Sequence, residues 1–179
     1  VVARENSSVE ARGNSSVVAR GNTQIVDASY KHDIKTSGNA RIVYNPKSIE
    51  EYLTHYGIEP DGNVVKLFKA VHKCNGRYYS DNDSNFEYVV DCVATADSLD
   101  SNTEESCGHG IHIAFREWCV DYGKEWNDLA IIEVETELDK IVVPVNGCGK
   151  VRTLQVKVLR EVPLEECGLL GKALAKRRR

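Results

Sequence analysis

The feature that most constrains this chain is a repeat at its start. Residues 1–24 read VVARENSS, VEARGNSS and VVARGNTQ, at a strict period of eight. The next stretch, IVDASYKH (25–32), keeps only the opening apolar pair. The pattern returns one residue late as IKTSGNAR (34–41), and a partial unit, Ile42-Val43-Tyr44, closes at Asn45-Pro46. Within a unit the first and third positions are apolar and the second and fourth mostly polar, which is strand alternation. Gly-Asn then supplies a turn pair tolerant of positive φ. One unit is therefore a short strand plus a tight turn, with too little apolar surface to bury alone, so units must stack.

Small Ala at the third position suits a narrow interior, and Asn and Ser can form ladders between successive layers. These properties predict a parallel β-solenoid over residues 1–45, with a meander of Gly-Asn hairpins as the alternative. The segment Tyr30-Lys31-His32 and the stop at Pro46 read as the way out of the array. The chain holds no methionine, and Val1 opens a unit at its apolar first position. The expectation is a cut within a longer array, with self-association through the repeat segment.

Charge is unevenly placed. Residues 1–43 carry six basic and four acidic side chains, and residues 44–171 carry 12 basic and 23 acidic ones. The last eight residues hold five basic groups, Lys172, Lys176, Arg177, Arg178 and Arg179. An acidic body argues against general binding of a phosphate backbone, which leaves the tail at Lys176 to Arg179 as the one place for nucleic acid to touch. The tail also reads simply as a solvated terminus. No apolar run is long enough for a membrane helix. Six cysteines, Cys74, Cys92, Cys107, Cys119, Cys148 and Cys167, lie at wide spacings without C-x-x-C, and they read as small buried thiols in a reducing cytoplasm.

Residues 46–179 read as a second unit. Ser48 caps a helix over residues 49–56, Glu51 completes a capping box, and Gly57 ends it. Strands are predicted at residues 64–71, 77–80, 86–90, 129–135, 140–145 and 151–162. A helix is predicted over 115–122 with Gly123 at its end, another over 164–174, and a surface loop over 93–106. This order predicts a compact α+β domain.

Several clusters carry possible chemistry. Cys107, His109 and His112 are three metal-ligand types within six residues, but no standard zinc spacing is present and no metal or cofactor is expected. Gly108-x-Gly110 lacks the third glycine of a dinucleotide fingerprint. Glu133, Glu135 and Glu137 alternate and would line the wet face of a strand. His72 sits between Lys69 and Lys73. The aromatics Tyr78, Tyr79, Tyr88, Trp118, Tyr122 and Trp126 read as core and rim rather than as a stacking platform.

The repeat array, followed by KLFKAVHK, GRYYSD, FEYVV, CGHGIH, LAIIEVE and KVRTLQVKVLREV, resembles a family of phage and Firmicutes proteins. These join ASVEARGN-type octapeptide repeats to a small C-terminal α+β domain. The resemblance implies a phage or mobile-element setting, the cytoplasm of a bacterial host cell, and no particular activity. A fainter likeness is to the ADP-ribosyltransferase superfamily. There, residues 67–71 are similar to the first motif strand, Gly108-His109-Gly110-Ile111-His112 to the Gly-x-Gly-Ile-Tyr segment, and residues 129–134 to the next strand. That likeness implies a cleft with Lys69, His112 and Glu133 as catalytic candidates, with Lys69 and His112 standing where the superfamily has His and Tyr. Two readings follow. One is a non-enzymatic assembly or binding protein whose repeats self-associate and whose second domain binds a host or self partner. The other is an ADP-ribosyltransferase-like domain acting on NAD.

Overall fold

The structure is a computed structural model that describes residues 1–13, 16–29, 34–44, 46–145 and 149–168. Residues 30–32, Cys148, the stretch 169–174 and the basic tail at Lys176, Arg177, Arg178 and Arg179 fall outside the described residues.

The repeats form β1 (Val2–Ala3), β2 (Ser8–Gly13), β3 (Val17–Gly21), β4 (Gln24–Ser29), β5 (Ile34–Gly38) and β6 (Arg41–Tyr44). Each strand pairs with the one two units on, so odd and even strands separate into two three-stranded sheets, β1-β3-β5 and β2-β4-β6. Every pairing is parallel, which removes the hairpin meander. The expected parallel β-solenoid is not shown either. Dividing about five units between two sheets leaves each with three strands of two to six residues, and what forms is a pair of small parallel sheets.

Register carries the repeat faithfully. Val2 pairs with Val18, sixteen residues on, whereas Val17 pairs with Ile34 and Gln24 with Arg41, seventeen on. The one-residue delay in the sequence is thus absorbed in the strand offset. Ala3, Val17, Ala19 and Ile25 bury together. At the turns Asn22 donates to Asn6 Oδ1 at 3.1 Å and Asn39 donates to Asn22 Oδ1 at 3.2 Å, an amide ladder of the expected kind. Gly21 and Gly38 adopt φ of 73° and 72° beside that ladder, and Glu5 holds the same place at 59°.

The second region opens with α1 (Ile49–Tyr56). Ser48 Oγ accepts from the Glu51 amide at 3.2 Å, and Gly57 closes the helix at φ 63°. Strands β7 (Val64–Cys74), β8 (Arg77–Tyr79), β9 (Glu87–Tyr88), β10 (Val93–Thr95) and β11 (Ile111–Ala114) follow. Next come α2 (Arg116–Gly123), β12 (Leu129–Glu137), β13 (Ile141–Val142), β14 (Lys150–Thr153) and β15 (Gln155–Val162). The order across the main sheet is β10-β15-β12-β7-β11-β14-β13, all antiparallel, with β8 and β9 branching from β7.

A balanced α+β domain is therefore corrected. The region is mostly β, a curled half-barrel sheet with two eight-residue helices among the described residues. The reason lies in β11 and in the long β7, β12 and β15, whose apolar residues bury on both sides of the sheet. Leu67, Val71, Ile132, Val134 and Val158 pack on the α1 side, and Ala70, Ala114, Ile131 and Val162 pack with Cys119 of α2. The predicted C-terminal helix is not seen where the chain is described, since residues 164–168 are turns. Of the five described cysteines only Cys119 is buried, while Cys74, Cys92 and Cys107 are exposed, and all five are free thiols. Among these five the buried-thiol reading holds for one position. No helix among the described residues is long and apolar enough to cross a membrane.

Candidate functional site

The site arises from a break in strand pairing. One edge of β7 is covered by β12 from Val64 to His72. The other edge meets β11 only at Phe68 and meets β8 from His72 onward. Between them, at residues 69–71, the second edge has no ladder partner. The Asn75-Gly76 turn, with both residues at positive φ, folds β8 back tightly and carries Ser80, Asp81 and Asn82 over this gap. The outer wall is α2, which supplies Trp118, Cys119 and Tyr122. His112 of β11 and Lys150 of β14 complete a cleft of about 60 Å³.

Lys69 stands at its centre. Its ammonium donates to the His112 carbonyl at 3.0 Å, satisfying one backbone group that the splayed strands leave free. It also lies 5.6 Å from the Tyr88 ring centroid. Burial lowers its pKa to about 8, because desolvation disfavours the charged form. His112 is pushed down to about 4, first by burial and then by the charges of Lys150, Lys69 and Arg152. Its Nε2 is buried and has no hydrogen-bond partner among the described residues. Such an atom costs about 1–3 kcal/mol when left unsatisfied, so it marks a place where the fold has not been optimised for stability alone.

Around this pair lie two supports. Arg152 is fully buried, and its guanidinium donates to the carbonyls of Asp100 (2.7 Å), Asn102 and Glu105, with the Asp100 carboxylate 3.9 Å away. It anchors the 100–105 loop behind β11. On the opposite side Asp81 accepts from Tyr122 Oη at 2.7 Å and lies 3.0 Å from His72 Nε2. His72 Nδ1 lies 2.8 Å from Asp128, and the ring stacks on Trp126 at 4.2 Å. Both ring nitrogens face carboxylates, so both can donate only when the ring is protonated. Burial pulls the His72 pKa down, but the two aspartates outweigh it and raise the net value. Burial likewise raises Asp81, and the hydrogen bonds from Tyr122 and His72 outweigh it and hold the carboxyl below its ordinary value.

Lys150 Nζ lies 3.0 Å from Cys107 Sγ and holds the thiol below its usual range. Cys107, His109 and His112 are not gathered into a ligand set, and no group of three or more metal-binding side chains occurs among the described residues. Lys69 and His112 do come together. Glu133 does not join them: its carboxylate is held by Arg160 Nε at 2.8 Å, outside the cleft.

No family model, curated protein or solved structure matches this chain.

The arrangement itself states what it can do. A volume of about 60 Å³ admits roughly two waters, or one group the size of a carboxylate or phosphate. Two ammonium groups and a neutral imidazole face that volume, with Asp81 already engaged by Tyr122 and His72. Sequence reasoning found Lys69 and His112 but missed Asp81, Tyr122, Lys150 and Arg152. The Asn75-Gly76 pair, which was not singled out in the sequence, is a local turn signal that could have pointed to the part of this site carried by the β8 turn.

Proposed function

We infer that this chain is a binding protein that receives a small anionic group of its partner in the cleft at Lys69, His112 and Lys150. The observation that carries the reading is the buried, unpartnered Nε2 of His112 among cationic side chains. An anion there would gain charge-assisted hydrogen bonds from groups already desolvated and positioned. The repeat sheets add a second surface. Among the described residues each ends in unpaired strands, which present backbone groups that another copy can extend. Self-association there, and a host protein as partner in a phage setting, belong to the same proposal.

The transferase reading has less support. A cleft of about 60 Å³ is far below the roughly 300–1,000 Å³ typical of pockets for larger ligands, and Glu133 is tied to Arg160.

The test is thermal unfolding in acetate or phosphate against chloride at matched ionic strength. A specific anion at ten times its Kd adds about 1.4 kcal/mol of stability, a rise of several degrees for a protein of this size. The expected rise disappears in the Lys69→Met, Lys150→Met double variant. Equal melting in all three salts overturns the reading. Light scattering tests self-association, and a strict monomer at all concentrations removes that half of it.

A further inference from the structure

Beside the ammonium groups of Lys69 and Lys150, the cleft lining carries one carboxylate, Asp81. Its charge is balanced from outside the cleft by His72. The ring Nε2 stands 3.0 Å from Asp81 Oδ1, and Nδ1 stands 2.8 Å from Asp128 Oδ1. These carboxylates come from different segments, one after β8 and one before β12, and the ring stacks on Trp126 between them. Its register neighbours, Tyr79 of β8 and Leu129 of β12, carry no charge. Lys73, next in the chain, is held by Glu161 at 2.6 Å. Tyr122 of α2 donates to the other oxygen of Asp81, Oδ2. Only a doubly protonated ring donates to both carboxylates, whereas a neutral ring turns a lone pair on one of them. With the proton the three groups carry one net negative charge, and without it two.

Resting on the binding reading above, we propose that the proton on His72 controls the affinity of the cleft for its anion, acting through Asp81. While the ring is charged it compensates Asp81, and Lys69 and Lys150 set the potential inside the cleft. Once the ring is neutral, the Asp81 carboxylate is left uncompensated. Its charge then opposes an incoming anion and competes for Lys69, with which it already interacts electrostatically. One unit charge uncovered at this range changes affinity roughly three- to tenfold. Burial lowers the His72 pKa, but the two aspartates outweigh it and the net value lies above the ordinary 6.5. The fall in affinity therefore comes above that pH, as the pH rises. By reciprocity a bound anion raises the His72 pKa by the same free energy.

Proton NMR of the histidine rings in the intact chain tests the proposal, with acetate titrated at each pH from 5.5 to 8. Acetate stays charged throughout this range. Its Kd is expected to rise about fivefold as His72 loses its proton, and saturating acetate is expected to raise the His72 pKa by about 0.7. Lys69, with a pKa of about 8, and the Cys107 thiol beside Lys150 also weaken anion binding as the pH rises. Asp128→Asn, outside the cleft, separates them: it lowers the His72 pKa, so the His72 step moves to lower pH while the other two stay in place. His72→Gln is expected to remove that step and to bind acetate weakly at every pH in the range. A His72 titration unmoved by acetate, or a fall in affinity unmoved by Asp128→Asn, overturns the His72 control and leaves the anion cleft standing. If acetate binds at no pH, both fail.

Discussion

The repeat region and the curled sheet meet the same requirement, burying short strands, in opposite ways. In the repeats every strand pairs sixteen or seventeen residues along the chain, and several positions find their like: Ala3 beside Ala19, Gly21 beside Gly38, asparagine beside asparagine. In the second region the pairs that matter are remote. Tyr52 Oη donates to the Gly149 carbonyl at 2.8 Å across 97 residues, and Arg152 reaches the 100–105 loop. Repetition states its contacts several times over. The cleft is stated once, by the place where β11 and β8 leave β7 uncovered.

The comparison breaks most sharply at Arg152. Arg152→Met leaves three loop carbonyls without their donor and is expected to cost about 3–5 kcal/mol, as loss of one partner of a buried charge generally does. Urea unfolding should show that cost. Hydrogen exchange should show amides of 100–109 losing protection while residues 1–44 keep theirs. Full retention of loop protection would show that the guanidinium is not what anchors it.

A smaller break is expected in the repeats. Gly38 has φ 72°, and a Cβ there would stand 3.2 Å from the Gly21 backbone nitrogen. Gly38→Ala combines positive-φ strain with that close approach, for about 1–3 kcal/mol. Exchange protection of β3 and β5 should fall, with the cleft unchanged. An effect below about 0.5 kcal/mol would mean that the stacked turns yield freely.

These two sites also show what was legible. Strand alternation, the turn glycines, the Asn ladder and the helix caps at Ser48 and Gly57 are local, and the sequence states them openly. Pairing every second unit into two sheets is not local: an octad specifies a strand and a turn, not which strand lies beside it. The same holds for the site. Lys69 and His112 are reached through the ADP-ribosyltransferase likeness, yet nothing near Lys150 or Arg152 in the chain says that β14 lies beside β11. Glu133 looked equivalent to them until register placed it next to Arg160.

Titration separates groups within the second region by sign. His112 has a folded pKa of about 4 against 6.5 unfolded, so the unfolded chain binds more protons between these values and stability falls as pH drops through them. Discounted for partial exposure, the loss from pH 7 to pH 5 is about 1 kcal/mol, and His112→Leu should abolish it. His72 runs the other way. Its raised pKa gives stability that is present below 6.5 and lost as pH rises through the folded value, a few tenths of a kcal/mol at so exposed a site. Denaturant midpoints from pH 4.5 to 8.5 on the unaltered chain and on His112→Leu separate these contributions, and an unchanged acid slope in His112→Leu would remove the argument.

The finest test returns to the repeats. Glu5, Gly21 and Gly38 hold equivalent places beside the Asn ladder, all at positive φ, but only Glu5 carries a Cβ there. A left-handed conformation costs a non-glycine residue about 1–2 kcal/mol, partly offset because glycine loses more chain entropy on folding. Glu5→Gly should therefore stabilise the repeat sheets by about 0.5–1 kcal/mol, read as increased protection of β1 and β3, with no change at the cleft. A loss of stability instead would show that the Glu5 side chain contributes more at the sheet edge than its backbone strain removes.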